Sequence, residues 1–339
     1  METSYLLERK IISICFNPIK QSVFILSYDG EKLQLVEEDL SKSVILKRYN
    51  LLLYSECNIS NLNYKKIPKE TFEGYGIYFW ELTKNLMVYY PGGYLMFYDY
   101  QTTQLISHFQ CQGKKAYVIR NIIGSPLQRS LFISAESKRN IYNINFDNIK
   151  NNITYNKLII PEKETVFDLV CHPNEKFIFA ACSDSIIRIF NYSNENEIKE
   201  IKIGLVDVPL GKDGKPQKNQ NEIIKKSGIN SVITMDFNNT GTYLLSGNEN
   251  GWLYLWDSMQ AIKGKRILLA KEKFSVMGII YSIKFIKSRQ YDNMNRFIFI
   301  TTEGKFHILN IISKDVNGKK FKLYDLFLFL YIYQLRILF

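Results

Sequence analysis

Histidine and cysteine have the widest chemical repertoire of any side chains, and this chain holds three of the first and five of the second. The histidines are His108, His172 and His307, and the cysteines are Cys15, Cys57, Cys111, Cys171 and Cys182. No Cys–His or His–His pair has the spacing of a metal-ligand set. Cys171 and His172 are adjacent, so on a strand they would point to opposite faces. His172 precedes Pro173 in a turn-like stretch, which gives it a structural role. A nucleophile elbow, a phosphate-binding glycine loop and a dinucleotide fingerprint are all missing from the sequence. The run Gly211-Lys212-Asp213-Gly214-Lys215 resembles a phosphate loop but lacks its spacing and its strand-to-helix context. Glu37-Glu38-Asp39 reads as a solvated acidic turn. No residue set supports a catalytic assignment, and the expectation is a protein without enzymatic activity, metal or cofactor.

What remains for these side chains is electrostatic attraction. Lys212, Lys215, Lys218, Lys225 and Lys226 crowd a polar Gly/Pro-containing segment, residues 204–227, and form the candidate partner-binding loop. Loops of this length in a compact domain either carry function or are solvated connections. The chain's net charge of +11 admits nucleic acid as a partner. However, lysine greatly outnumbers arginine, and Asn and Ile are also abundant. That joint bias fits a genome-wide codon preference as well as it fits a binding face.

The elements that would position such a loop are short strands. Tyr (23) and Phe (22) are plentiful, as suits pleated, half-buried surfaces. Residues 228–257 give the clearest unit: an alternating strand from Val232 to Phe237, a turn at Asn238-Asn239-Thr240-Gly241, and a strand from Tyr243 to Ser246. A second turn then runs from Asn248 to Gly251, and a last strand from Trp252 ends in Trp256-Asp257. Period-two alternation bounded by Asn/Gly turns marks consecutive antiparallel strands. The unit recurs over residues 166–191, where Asp184 stands in the second turn and Phe190-Asn191 takes the place of Trp256-Asp257. It recurs again over residues 11–36, with Asp29-Gly30 in the second turn, and over residues 280–310. Fainter copies lie at 75–100 and 116–145. Aligned before the first turn, the six fall at Phe16, Trp80, Ile123, Cys171, Phe237 and Phe285. The gaps from Trp80 to Ile123, Ile123 to Cys171 and Phe237 to Phe285 are each roughly 45 residues, a regular repeat period. Trp80, Trp252 and Trp256 all fall on these strands and are expected in the core.

On these repeats the chain resembles the WD40-repeat family, most specifically at residues 244–257 (LLSGNENGWLYLWD) and 180–191 (AACSDSIIRIFN). The resemblance implies an all-β, WD40-like β-propeller, with six recognisable blades and a seventh if the tail or a missing portion contributes. Repeat-defining positions would be Asp29, Asp184, Gly247, Gly251, Trp256 and Asp257. The family's Gly-His dipeptide is missing throughout, so its His–Asp–Ser/Thr–Trp network cannot be assigned and no subfamily is indicated.

Residues 1–322 thus read as a single propeller with insertions at 37–73 and 204–227. Residues 3–7 could supply an outer strand. The apolar tail, 323–339, is a closing strand, a gene-model artefact or a tail anchor; its unbroken apolar run of eight residues is too short to span a membrane, which takes about 20. An odd cysteine count without a CxxC pair points to a reducing, intracellular compartment, cytoplasmic rather than nuclear. The expected function is a scaffold that binds other proteins in a multiprotein complex. The alternative is an RNA- or ribonucleoprotein-associated propeller using a basic surface.

Overall fold

The computed structural model describes residues 10–17, 19–20, 22–29, 32–39, 41–42, 44–49, 51, 75–111, 118–135, 138–147, 152–159, 164–194, 198–202, 231–274, 278–286, 296–303, 306–313 and 321–325. These residues are almost entirely strand. They build six four-stranded antiparallel sheets, and in each the strands follow one another in chain order. The chain divides into two compact units, Met1–Ile160 and Pro161–Phe339, with three sheets in each.

In the first unit, sheet 1 is β1 (Lys10–Asn17), β2 (Ser22–Tyr28), β3 (Leu33–Asp39) and β4 (Val44–Tyr49). Sheet 2 is β5 (Gly76–Trp80), β6 (Asn85–Tyr90), β7 (Tyr94–Asp99) and β8 (Leu105–Gln110). Sheet 3 is β9 (Ile119–Gly124), β10 (Ser130–Ala135), β11 (Lys138–Asp147) and β12 (Asn152–Ile159). Sheet 2 is covered on both sides, which is why the sequence of β7, YLMFYD, is apolar without a break. Its Tyr94, Met96 and Tyr98 join Phe24, Leu26 and Phe79 in one core, while Leu95 and Phe97 join Leu131, Ile133 and Tyr142 in the other.

In the second unit, sheet 4 is β13 (Val166–Cys171), β14 (Phe177–Cys182), β15 (Ile186–Asn191) and β16 (Ile198–Lys202). Sheet 5 is β17 (Val232–Phe237), β18 (Tyr243–Asn248), β19 (Trp252–Asp257) and β20 (Leu268–Lys273), with a short helix α1 (Ser258–Ile262) between its last two strands. Sheet 6 is β21 (Ile280–Phe285), β22 (Arg296–Thr301), β23 (Phe306–Ser313) and β24 (Phe321–Asp325). Phe179, Ile189, Met235 and Trp256 fill the core between sheets 4 and 5, and Leu245, Leu255, Ile283 and Phe299 that between sheets 5 and 6.

The first strand of each sheet pairs on one side only, so its remaining N–H groups need other acceptors. In sheets 2, 3, 5 and 6 side chains of the preceding sheet supply some of them. Ser13 Oγ and Cys15 Sγ accept from Ile77 and Phe79 N–H at 3.4 and 3.3 Å. The Tyr78 hydroxyl accepts from Gly124 N–H at 2.8 Å. Asp168 accepts from Met235 N–H and Asp236 from Phe285 N–H, both at 2.8 Å, and Thr234 accepts from Ile283 N–H at 3.3 Å. Polar residues that alternate along these strands therefore fasten one sheet to the next.

Two expectations need correction. Glu37 is not in a solvated turn; it lies on β3 and is fully buried, accepting hydrogen bonds from Asn17 (2.9 Å), Ser22 (2.5 Å) and Tyr100 (3.0 Å). Its register places it on the side of sheet 1 that packs on sheet 2, where all three donors meet one oxygen, Oε1, while Oε2 is buried without a hydrogen bond among the described residues. Trp252 is half-buried rather than core, lying beneath the Lys271 ammonium at 5.3 Å. In addition, β4 lies inside the segment that repeat spacing gives as an insertion, and the first residues of the apolar tail form the end of β24. Residues 3–7 and 326–339 lie outside the described residues.

Candidate partner-binding face

The repeat-defining residues all occupy structural places. Trp256 is 1% exposed and donates through Nε1 to Ser246 Oγ at 2.9 Å. That bond ties β19 to β18 within sheet 5. Asp257 caps α1 by accepting from Gln260 N–H at 3.0 Å. Gly251 turns the chain at φ +75°, a conformation that favours glycine. Gly247 has a different reason: a Cβ there would sit 2.5 Å from Ile280 Cγ2. Asp29 accepts from Lys32 N–H at 2.9 Å and from Gln34 Nε2 at 2.6 Å. Asp184 receives a two-pronged bond from Arg188, at 3.0 and 2.6 Å.

His172 confirms its structural role with a defined proton position. It is fully buried, and Nδ1 accepts from the N–H groups of Asn174 (3.2 Å) and Glu175 (3.0 Å). The ring proton is therefore on Nε2, which donates to Gly241 O at 2.9 Å and ties sheet 4 to sheet 5. Burial pushes its pKa below the ordinary imidazole value. The unfolded chain thus takes up this proton first as pH drops. The stabilisation is complete above about pH 6.5 and is lost as pH falls through the folded value. Asp168 acts in the opposite sense: burial raises it to about 6, so its share is lost as pH rises from about 4 to 6. We expect the urea midpoint of the native chain to lose more between pH 7.5 and 5 than that of His172→Gln. Equal losses in paired titrations would contradict the burial of His172 as a neutral ring.

Among the described residues, no group of three His, Cys, Asp or Glu side chains is placed to hold a metal ion. Cys15, Cys111, Cys171 and Cys182 are free thiols. Burial raises the pKa of Cys15, Cys171 and Cys182, and that of Cys182 reaches about 11, away from the thiolate range of reactive cysteines. No described helix is long and apolar enough to cross a membrane.

The lysine-rich segment falls outside the described residues, so Lys212, Lys215, Lys218, Lys225 and Lys226 have no described position. The described chain enters that segment at Lys202, the end of β16, and re-emerges at Ser231. Beside β16 the structure does show a basic surface, formed by the loop after α1. Lys263, Lys265 and Arg266 are exposed there, and Arg266 donates to Lys202 O at 3.2 Å. Lys199 turns inward instead, bonding Ile262 O and covering the Phe177 ring at 5.5 Å. Sequence reading missed this loop because its three cations are few and follow a helix that the strand pattern hides.

Comparison with known proteins agrees with this architecture. Residues 157–191 and 222–257 match the family model described as WD domain, G-beta repeat. Those residues thus carry WD40-type repeats, and the six sheets built alike share the WD40 β-propeller fold of solved neighbours, with no particular subfamily indicated. The β-propeller domain of Myceliophteria thermophila Cps50 (Swd1) is similar, at 14% identity and a TM-score of 0.52, covering 74% of this chain and 70% of that one. The structure of U3-55K is similar at 12% identity and a TM-score of 0.60, over 94% of this chain and 82% of that one. The RRP9 WD40 repeats give 12% identity and a TM-score of 0.60, over 94% and 81%. No curated protein matches the sequence.

Proposed function

We propose that this chain is a non-catalytic scaffold that binds other proteins within an intracellular complex, cytoplasmic rather than nuclear. One observation carries the reading: among the described residues, several side chains capable of chemistry hold sheets together. His172, Asp168 and Cys15 each bond the backbone of a neighbouring sheet, and Glu37 is enclosed by three donors. What faces outward is charge on loops, which suits recognition rather than turnover. The free thiols support a reducing compartment. In this reading Lys212, Lys215, Lys218, Lys225 and Lys226 belong to the binding surface.

The test is affinity purification of the tagged protein with and without nuclease. The scaffold reading predicts the same set of co-purifying proteins in both. Loss of the set with nuclease would favour the RNA-associated alternative, which draws on the net charge of +11. That alternative also predicts binding that weakens steeply with salt, through counterion release. Deleting residues 213–226 should leave the thermal melt unchanged and reduce partner recovery several-fold. A deletion product that fails to fold would refute the loop's role as a separable binding segment.

A further inference from the structure

We infer that the outer edge of sheet 4, together with the loop after α1, is a docking strip for an acidic, aliphatic-containing segment of a partner protein. This rests on the scaffold reading and gives it a surface and a partner chemistry. Among the described residues β16 pairs only with β15, and no described strand lies along its other long edge. Its residues alternate: Lys199 and Ile201 turn inward, while Ile198, Glu200 and Lys202 are exposed. The loop that lies against this edge presents Lys263, Lys265, Arg266 and Ile267, all exposed.

The loop is held in one shape. Asp257 caps the helix before it, and Gly264 reverses the chain at φ +77°. Lys263 and Lys265 N–H both donate to Gln260 O, at 3.1 and 2.9 Å, and Gly264 N–H donates to Ala261 O at 2.8 Å. The far end is closed by Asp257 N–H donating to Ile267 O at 3.1 Å. Lys199 and Arg266 then fasten the loop to β16 at Ile262 O and Lys202 O. A fixed cationic loop loses little entropy when a partner binds.

Within β16 and this loop Glu200 is the one acid, and it is shared between Arg188 at 3.6 Å and Lys202 at 3.7 Å. Lys263, Lys265 and Arg266 follow one another with no acid between them. The apolar component decides which polyanion fits. Ile198 and Ile267 are 38% and 40% exposed, and no aromatic side chain is exposed on β16 or in the loop. Single-stranded nucleic acid is gripped by stacking bases on aromatic rings. Cations interleaved with isoleucines instead match carboxylates interleaved with leucine-like side chains, where charge steers the encounter and apolar contact retains it.

The test uses fluorescence anisotropy with the full chain and two labelled probes. One is a peptide that repeats two glutamates and one leucine; the other is an oligouridylate of equal charge. The peptide should bind saturably and more tightly than the oligouridylate. Lys263→Glu with Lys265→Glu should weaken it by about tenfold or more, and Ile267→Ser by about threefold, with unchanged melting curves. Tighter oligouridylate binding, no saturable peptide binding, or a charge-reversal effect below about twofold would overturn the strip. If the charge-reversed chain still recovers its full set of proteins after nuclease, the strip falls and the scaffold reading stands. Loss of nuclease-resistant capture by the native chain would remove the scaffold reading itself.

Discussion

Trp256→Ala should lower the unfolding free energy by about 3–5 kcal/mol, the cost of emptying a large aromatic site in a close-packed core. The side chain is 1% exposed and lies among Phe179, Ile189, Met235 and Tyr254, the last stacked on it at 5.8 Å. Two losses combine. The indole leaves a cavity between sheets 4 and 5, and Ser246 Oγ, itself fully buried, loses its donor. Trp256→Phe separates them, because it keeps most of the volume and removes only the hydrogen bond. We expect it to recover more than half of the loss in a urea titration. An alanine variant that melts with the native chain would show that Trp256 is not in a packed core.

Arg188→Ala should cost about 3 kcal/mol, the lower end for breaking a buried ion pair. Arg188 is on β15 with its side chain 2% exposed, and its guanidinium holds both oxygens of Asp184. Removing the guanidinium leaves Asp184 unpaired, but that carboxylate is 16% exposed and regains some water. Arg188→Met restores apolar volume without charge and should fall between the native chain and alanine. Adding Asp184→Asn to Arg188→Met should recover further stability, because the stranded charge is gone. If the double variant were no better than the single one, the pair's contribution would be packing alone.

The fold was legible where residue type and turn chemistry agree. Asn238 and Gly241, Asn248 and Gly251, and Pro91 with its two glycines mark turns that the strands obey. The last strands of sheets 4 and 5 were not legible, for a physical reason. β16 (IKEIK) and β20 (LLAKEK) are half-solvated edges, where charged residues replace the aromatic and branched ones that signal a strand. β4 was hidden in the same way, and so its segment resembled an insertion. Glu37 misled because a charged triplet reads as a turn, and only the three-dimensional structure brings Asn17, Ser22 and Tyr100 to donate to its Oε1.

The basic loop beside β16 was not legible: the lysines of residues 204–227 stand out in the sequence but lie outside the described residues, and Lys263, Lys265 and Arg266 become a surface only through contacts far along the chain. Arg266 meets Lys202, and Lys199 meets Ile262, across sequence separations of 64 and 63. A one-dimensional pattern does not encode such pairings.

The most direct test of the central claim is the native size of the tagged chain in a nuclease-treated extract at moderate salt. The protein alone is 39.8 kDa. The scaffold account predicts that it sediments as a discrete, much heavier species before and after nuclease, and that the same proteins co-sediment. Sedimentation as the free chain once nucleic acid is digested would contradict it.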